Sequence, residues 1–389
     1  MNFEGHLELI LGPVFSGKTS ELIRRINRFS YASKKCTIIK FSEESENEKK
    51  SFKTHSGYDY EAFATDTLKR VAEQVQKFQV VGIDDGQFFP EIADFAEKLA
   101  NEGKVVVIAA LGGTFERKPF ECITKLIPRC ENVVMLSSVC MVCYEEGSFS
   151  KRITDEKQVK LLGGTEKYIS VCREEYFGLK CNDTEKKQEQ QEEEEEEEQQ
   201  QQGKKNGYTY DGQIQLILGP MFGGKSSELI RRARKYSIAN KKSTVIKFAR
   251  DTRYSVDKCS THDKVMMDAV PCAGKLFEVE DKVKDYDVIG IDEGQFFEDV
   301  VEFSEHMANK GKVVLIAALD GTFERKPFGR VLELVAKAEQ VIKLNAVCML
   351  TYKDAAFSKR ISQEKEVQVI GGSDKYVAVS REGFFQAQN

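Results

Sequence analysis

The chain has 389 residues, 41% hydrophobic and 31% charged, with a formal net charge of −5. That length suits two ordinary domains, and that balance describes a globular protein rather than a disordered one. No run approaches the roughly 18 uninterrupted apolar residues of a membrane span, and the first residues lack the pattern of a secretory leader. A cytoplasmic address is expected, with the nucleus left open.

The first predicted element is a strand at Leu7–Leu11, which runs into Gly12-Pro-Val-Phe-Ser-Gly17-Lys18-Thr19 and then the helical stretch Ser20–Arg25. This fits G-x-x-x-x-G-K-[ST] in the strand–loop–helix setting that a phosphate-cradling loop needs. Bare amides of such a loop and the positive end of the helix hold phosphate oxygens. The Lys neutralises them and the hydroxyl ligates Mg²⁺. The same setting returns after Ile214–Leu218 as Gly219-Pro220-Met221-Phe222-Gly223-Gly224-Lys225-Ser226, again followed by Ser-Glu-Leu-Ile-Arg-Arg. A chance glycine-rich turn would not recur with its flanks intact.

The recurrence extends along the chain, at an offset of 207 early (Lys18 to Lys225) and 208 later (Tyr168 to Tyr376). A duplicated domain is expected, with copies over 1–180 and 213–389. Between them, 181–212 is centred on seven consecutive glutamates in a glutamine-rich run, an acidic tether that cannot bury apolar surface. Without the charges of 182–206 the remainder sums to +1, which argues against a nucleic-acid-binding surface. A tether of that length typically reaches about 30 Å, enough for the copies to pack side by side. Ten cysteines in a cytosolic chain suggest buried thiols or metal ligands rather than disulfides.

In the second copy, strands are expected at Ile214–Leu218, Ser243–Phe248, Asp287–Ile291, Val313–Ala318 and Val341–Leu344. Helices are expected at Ser227–Ala239, Asp299–Asn309 and Phe328–Ala338. Apolar strands alternating with helices imply an α/β fold with a parallel sheet flanked by helices, its chemistry outside the strand C-termini. Asp287-Val-Ile-Gly-Ile-Asp292-Glu293-Gly294-Gln295 has that position. Asp292 suits the Mg²⁺ shell and Glu293 can accept a proton from an attacking hydroxyl. A glutamate activating water would instead make an NTPase, and solvated acids at a strand end are the bland alternative.

Gly219–Ser226, Asp251-Thr252-Arg253-Tyr254, Thr261-His262-Asp263, Ile291–Phe297, Asp320–Phe328 and Val369–Tyr376 occur in this order. Together they resemble the cytosolic thymidine kinase family over essentially all of 213–385, and the first copy resembles it more loosely. The resemblance implies transfer of the γ-phosphoryl of ATP to the 5′-hydroxyl of thymidine and deoxyuridine. It places the second copy's glycine-rich loop, Asp251–Arg253, Asp292, Gly294 and Gln295 at phosphate and Mg²⁺, and makes Glu293 the base. It also places Phe323, Ser358, Val367, Gln368, Val369, Ile370, Gly371 and Tyr376 around the nucleoside, with Met221, Phe296 and Phe328 near its base. Phe328 and Met221 read equally well as core, and Arg325 and Lys326 as solvated. The family's small second lobe implies a zinc-ribbon-like unit with a lasso loop over the site. Its oligomers imply that the copies form a pseudo-dimer, open to further self-association. The rivals are a P-loop NTPase and a nucleotide-binding scaffold without transfer.

In the first copy Glu293 is replaced by Asp85, whose carboxylate is set back by about 1.5 Å. Asp251–Tyr254 becomes Glu43–Glu46, Asp263 becomes Ser56, Asp320 becomes Gly112 and Met221 becomes Val14, while Gly12, Gly17, Lys18, Thr19, Asp84 and Tyr168 remain. That copy is read as binding nucleotide with impaired catalysis. The family's structural zinc sits on two C-x-x-C pairs. The first copy keeps Cys140, Cys143 and Cys172 with Glu175 at the fourth position and Cys181 nearby, a possible zinc set for which buried thiols are the alternative. The second keeps only Cys348, with Thr351, Ser380 and Gly383 elsewhere, so no zinc is expected there.

Overall fold

The computed structural model describes residues 5–43, 49–53, 59–178, 212–249, 258–260, 266–364, 366 and 371–385. The expected tether at 181–212 lies outside them but for its last residue. Among the described residues no helix is long and apolar enough to cross a membrane.

Each half forms a seven-stranded part of one 14-stranded sheet. In the second half the order runs Lys258–Ser260, Met266–Cys272, Ser243–Phe248, Val288–Ile291, Val313–Leu319, Gln213–Gly219 and Gln340–Lys343. All neighbours are parallel except the outermost Lys258–Ser260. The first half repeats this order from Lys49–Lys53 to Asn132–Met135. The halves meet where Gln340–Lys343 pairs antiparallel with Asn132–Met135 through Ile342 and Val134. Val313–Leu319 is buried almost throughout, as a β-branched strand covered on both faces must be. Its cover includes the helix Lys225–Ile238, which turns Leu229, Ile230 and Ala233 inward.

The five expected strands form within a residue or two, and the helices Lys225–Ile238 and Val300–Asn309 match closely. The expected helix at Phe328–Ala338 is corrected to a 3₁₀ segment, Val331–Ala336. Gly329 is the cause: it takes φ 59°, and a Cβ there would lie 2.4 Å from the Gln295 carbonyl oxygen. The first half has Glu121 at that place, opening the α-helix Glu121–Leu126. A further strand, Met266–Cys272, was not among those expected; it carries Pro271 one place from the sheet edge. A small hairpin lobe follows each sheet, Phe149–Arg152 with Tyr168–Val171 and Phe357–Arg360 with Tyr376–Val379.

Candidate functional site

The second half's site starts at the end of Gln213–Gly219, where the glycine-rich loop leads into the helix beginning at Lys225. Gly224 caps that helix at φ 74° and Phe222 lies at φ 64°; Gly17 and Phe15 adopt 79° and 62° in the first half. A phenylalanine in left-handed conformation costs on the order of 1–3 kcal/mol and persists only where its surroundings impose it. Both loops therefore hold one strained shape. The Lys225 ammonium reaches back to the Pro220 carbonyl at 2.7 Å. Lys18 does the same to Pro13, and burial pulls its pKa down to about 8.

One strand separates the loop from Val288–Ile291, yet the two ends meet: Ser226 Oγ donates to Asp292 at 2.9 and 3.1 Å. A hydroxyl and a buried carboxylate in contact are hard oxygen donors suited to magnesium. Glu293 follows with φ 57°, heading the 3₁₀ turn Gly294–Phe296. Gln295 is buried at that turn; its amide nitrogen donates to Glu293 Oε2 at 2.6 Å and its oxygen accepts from Leu319 N at 3.0 Å. One side chain thus ties the candidate base to the neighbouring strand. Nothing in the sequence pointed to that bridge.

In the first half this corner includes Lys40, whose second-half counterpart is the buried Lys247. Thr19 donates to Asp84 at 3.0 and 3.2 Å, and Lys40 pairs with Asp84 at 3.0 Å and Asp85 at 2.8 Å. Tyr60, whose second-half counterpart is Met267, donates to Asp84 at 3.0 Å. Burial raises the Asp84 pKa, and Asp85 adds to that. Burial would lower the Lys40 pKa, but the two aspartates outweigh it and leave it raised. Gln87 still reaches Leu111 N at 3.0 Å, but Asp85 is too short for a bond like that of Glu293. A cavity of about 470 Å³ remains, walled by the loop, Phe88, Phe115, Leu161 and Tyr168.

Other expected residues fall into three groups. Phe296 meets Phe328 edge-on at 5.6 Å and stacks on Phe248 at 4.9 Å, so Phe328 is largely core. Ser358 is buried and accepts from Met221 N at 2.9 Å, which makes it a support for the loop. Tyr376 receives a 2.5 Å bond from Arg360, whose guanidinium lies 4.0 Å from the Phe323 ring centroid. Arg360 also donates to the Glu364 and Glu366 carbonyls and so anchors the loop that follows. Arg152 repeats these contacts with Tyr168, Phe115 and two carbonyls. The Phe-Ser-Lys-Arg-Ile repeat in both halves was the unread signal. Asp251, Thr252, Arg253 and Val367–Ile370 lie outside the described residues, while Gly371 is described.

The structure settles one open reading and places a second charged residue of the same motif. Arg325 is buried at φ 58° rather than solvated, and it pairs with Glu97 of the first half at 2.5 Å; exposed Lys326 pairs with Glu324. Asp320 bonds the buried Lys343 at 2.6 Å. In the first half Lys343 becomes Met135, whose Cε would lie 2.7 Å from a Cβ at Gly112. The ion pair has been exchanged as a unit for a methionine packed over a glycine.

Cys140, Cys143 and Cys172 bring their sulfurs within 4.8 Å of one another, Cys143 and Cys172 at 3.7 Å. Tetrahedral zinc with thiolates at about 2.3 Å sets neighbouring sulfurs about 3.8 Å apart, so three vertices fit. Glu175 does not join the cluster. In the second half Thr351 and Ser380 share a 3.3 Å hydrogen bond, and Ser380 Oγ accepts from Gly383 N at 3.2 Å. Hydroxyl contacts there replace the thiols.

The thymidine kinase family model matches 5–176 and again 212–384. The chain is 56% identical over 182 residues to thymidine kinase 1 of Dictyostelium discoideum, covering 46% of this chain and 80% of that protein. It is 59% identical over 175 residues to human cytosolic thymidine kinase, covering 45% and 74%. With the thymidine kinase of vaccinia virus strain Western Reserve the identity is 53% over 176 residues, covering 45% and 98%.

Proposed function

This chain belongs to the thymidine kinase family, and on that footing we propose that it transfers the γ-phosphoryl of ATP to the 5′-hydroxyl of thymidine and deoxyuridine, mainly in its second half. The observation that carries the reading is the run Ser226–Asp292–Glu293–Gln295, a metal-suited hydroxyl and carboxylate beside a tethered second carboxylate. The P-loop amides and Lys225 bind the β- and γ-phosphates. Ser226 and Asp292 hold magnesium, which when bound screens charge on the phosphate oxygens. Glu293 accepts the 5′-hydroxyl proton as that oxygen bonds the γ-phosphorus and the bond to the β-phosphate bridging oxygen breaks, releasing ADP. Tyr376, Phe323 and Arg360 position the nucleoside and the loop above it.

The first half is proposed to bind nucleotide in its cavity with little turnover, since Lys40 occupies Asp85. Its three thiolates would hold a structural zinc. The protein is expected to act in the cytoplasm, as the word "cytosolic" in two mammalian relatives' names suggests. The test is a phosphorylation assay over a nucleoside panel with Lys18→Met and Lys225→Met made separately. Loss of transfer with Lys225→Met alone supports the reading. ATP hydrolysis independent of nucleoside would replace it with an NTPase.

A further inference from the structure

The contact between the halves is a near-twofold exchange of charges. Arg117 of the first half pairs with Glu305 at 2.7 Å, and Arg325 of the second pairs with Glu97 at 2.5 Å. Arg173 grips Glu339 at 2.7 and 3.0 Å, and Arg381 grips Glu131 at 2.7 and 2.9 Å. Each half supplies two acids to two arginines of the other. Lys343, which has no charged counterpart in the first half, donates to the Cys130 carbonyl across the boundary at 2.7 Å.

In the second half these cations surround one ring. Arg325, Arg381 and Lys343 all lie 5.3–5.4 Å from the centroid of Phe357. Phe357 opens the strand Phe357–Arg360, and alternation along a strand sends its neighbours to opposite faces. Ser358 accepts from the Met221 amide inside the P-loop, and Arg360 stacks on Phe323 and bonds Tyr376. A path of packed and bonded groups, passing through the strand backbone between Phe357 and Ser358, therefore leads from acids of the first half to the glycine-rich loop of the second.

We propose that Glu97 and Glu131 are positioning residues for the second half's P-loop, acting through Arg325, Arg381, Phe357 and Ser358. The first half is then needed for catalysis by its neighbour whether or not it turns over substrate. A buried arginine deprived of its acid is an uncompensated charge, and the least costly escape is to swing toward water. That movement would release Phe357 and with it the Ser358 bond to Met221 N. The proposal rests on the reading that the second half carries transfer.

The mirror symmetry supplies the test. Glu97→Gln removes the acid serving the second half, and Glu305→Gln removes the acid serving the first. Both variants, made in the full chain, break one pair across the boundary and one within their own half, to Arg129 or to Lys337, and should lower the thermal midpoint alike. Glu97→Gln should reduce kcat/KM for ATP roughly tenfold, with Glu305→Gln within about twofold of the parent. Glu97→Asp, which keeps the charge, should recover part of the loss. Equal kinetic effects from the two mirror variants, with Lys225→Met still abolishing transfer, would overturn the positioning role and leave the function intact. If Lys18→Met abolishes transfer instead, the assignment of the active half is what fails.

Discussion

The carboxylate after each Walker-type aspartate is the most instructive difference between the halves. Both Asp85 and Glu293 sit at φ 57° on equivalent turns, so their backbones start alike. Asp85 ends 2.8 Å from the Lys40 ammonium, whereas Glu293 reaches the Gln295 amide at 2.6 Å. One methylene therefore carries the acid out to a polar tether that also holds the adjoining strand.

The largest expected effect tests that difference directly. Glu293→Asp should lower kcat about 10²-fold with ATP affinity nearly kept, because removing a positioned base costs 10²–10⁴-fold. Asp85→Glu should change total activity by less than about twofold, since Lys40 and Tyr60 still hold the corner. A large gain from Asp85→Glu would show that the first half lacks only reach.

Next in size is the exchanged pair beneath the sheet junction. Lys343→Met alone strands Asp320 in a buried site and should destabilise the protein by about 3–5 kcal/mol. Adding Asp320→Gly recreates the Met135–Gly112 arrangement and should restore most of that loss in denaturant melts. Absence of rescue would mean that the bonds from Lys343 to first-half carbonyls outweigh its partnership with Asp320.

The metal contrast should be smaller in activity and plain in composition. Full-length protein should contain zinc by elemental analysis, and Cys140→Ser should remove it, whereas Cys348→Ser should leave the content unchanged. Equal loss from both variants would contradict the assignment to the first half.

The least effect is expected at His6, whose second-half counterpart is Gln213. Burial lowers its pKa, but the hydrogen bond to Glu8 and the nearby Glu131 outweigh it, so the folded value is raised. A raised folded pKa contributes stability below the unfolded value, about 6.5, that disappears as pH rises through the folded one. His6→Gln should therefore lower the melting temperature slightly at pH 6 and not at pH 9. The effect is small because the imidazole is partly exposed and screened.

Much of the fold could be read in advance because its signals are local. Leu7–Leu11 and Ile214–Leu218 are short apolar runs ending in a glycine-rich loop, and hydrophobic period alone separates their strands from the helices that follow. That the loop, Asp292 and Glu293 would come together was legible because they stand at the ends of apolar strands. Arg325 was left open because a cation next to a lysine in a charged turn reads equally well as solvated. Its acid, Glu97, is far away in sequence and belongs to the other half.

The sequence by itself determined the doubled α/β framework, the glycine-rich loops and the unequal cysteine sets, since each depends on neighbours in the chain. Tertiary structure decided the partners of the charges: Lys40 on Asp85, Gln295 on Glu293, Lys343 on Asp320, and the arginines shared between halves. A buried charge needs its counter-ion within a few ångströms in space. Separation along the chain sets no limit on which residue provides it.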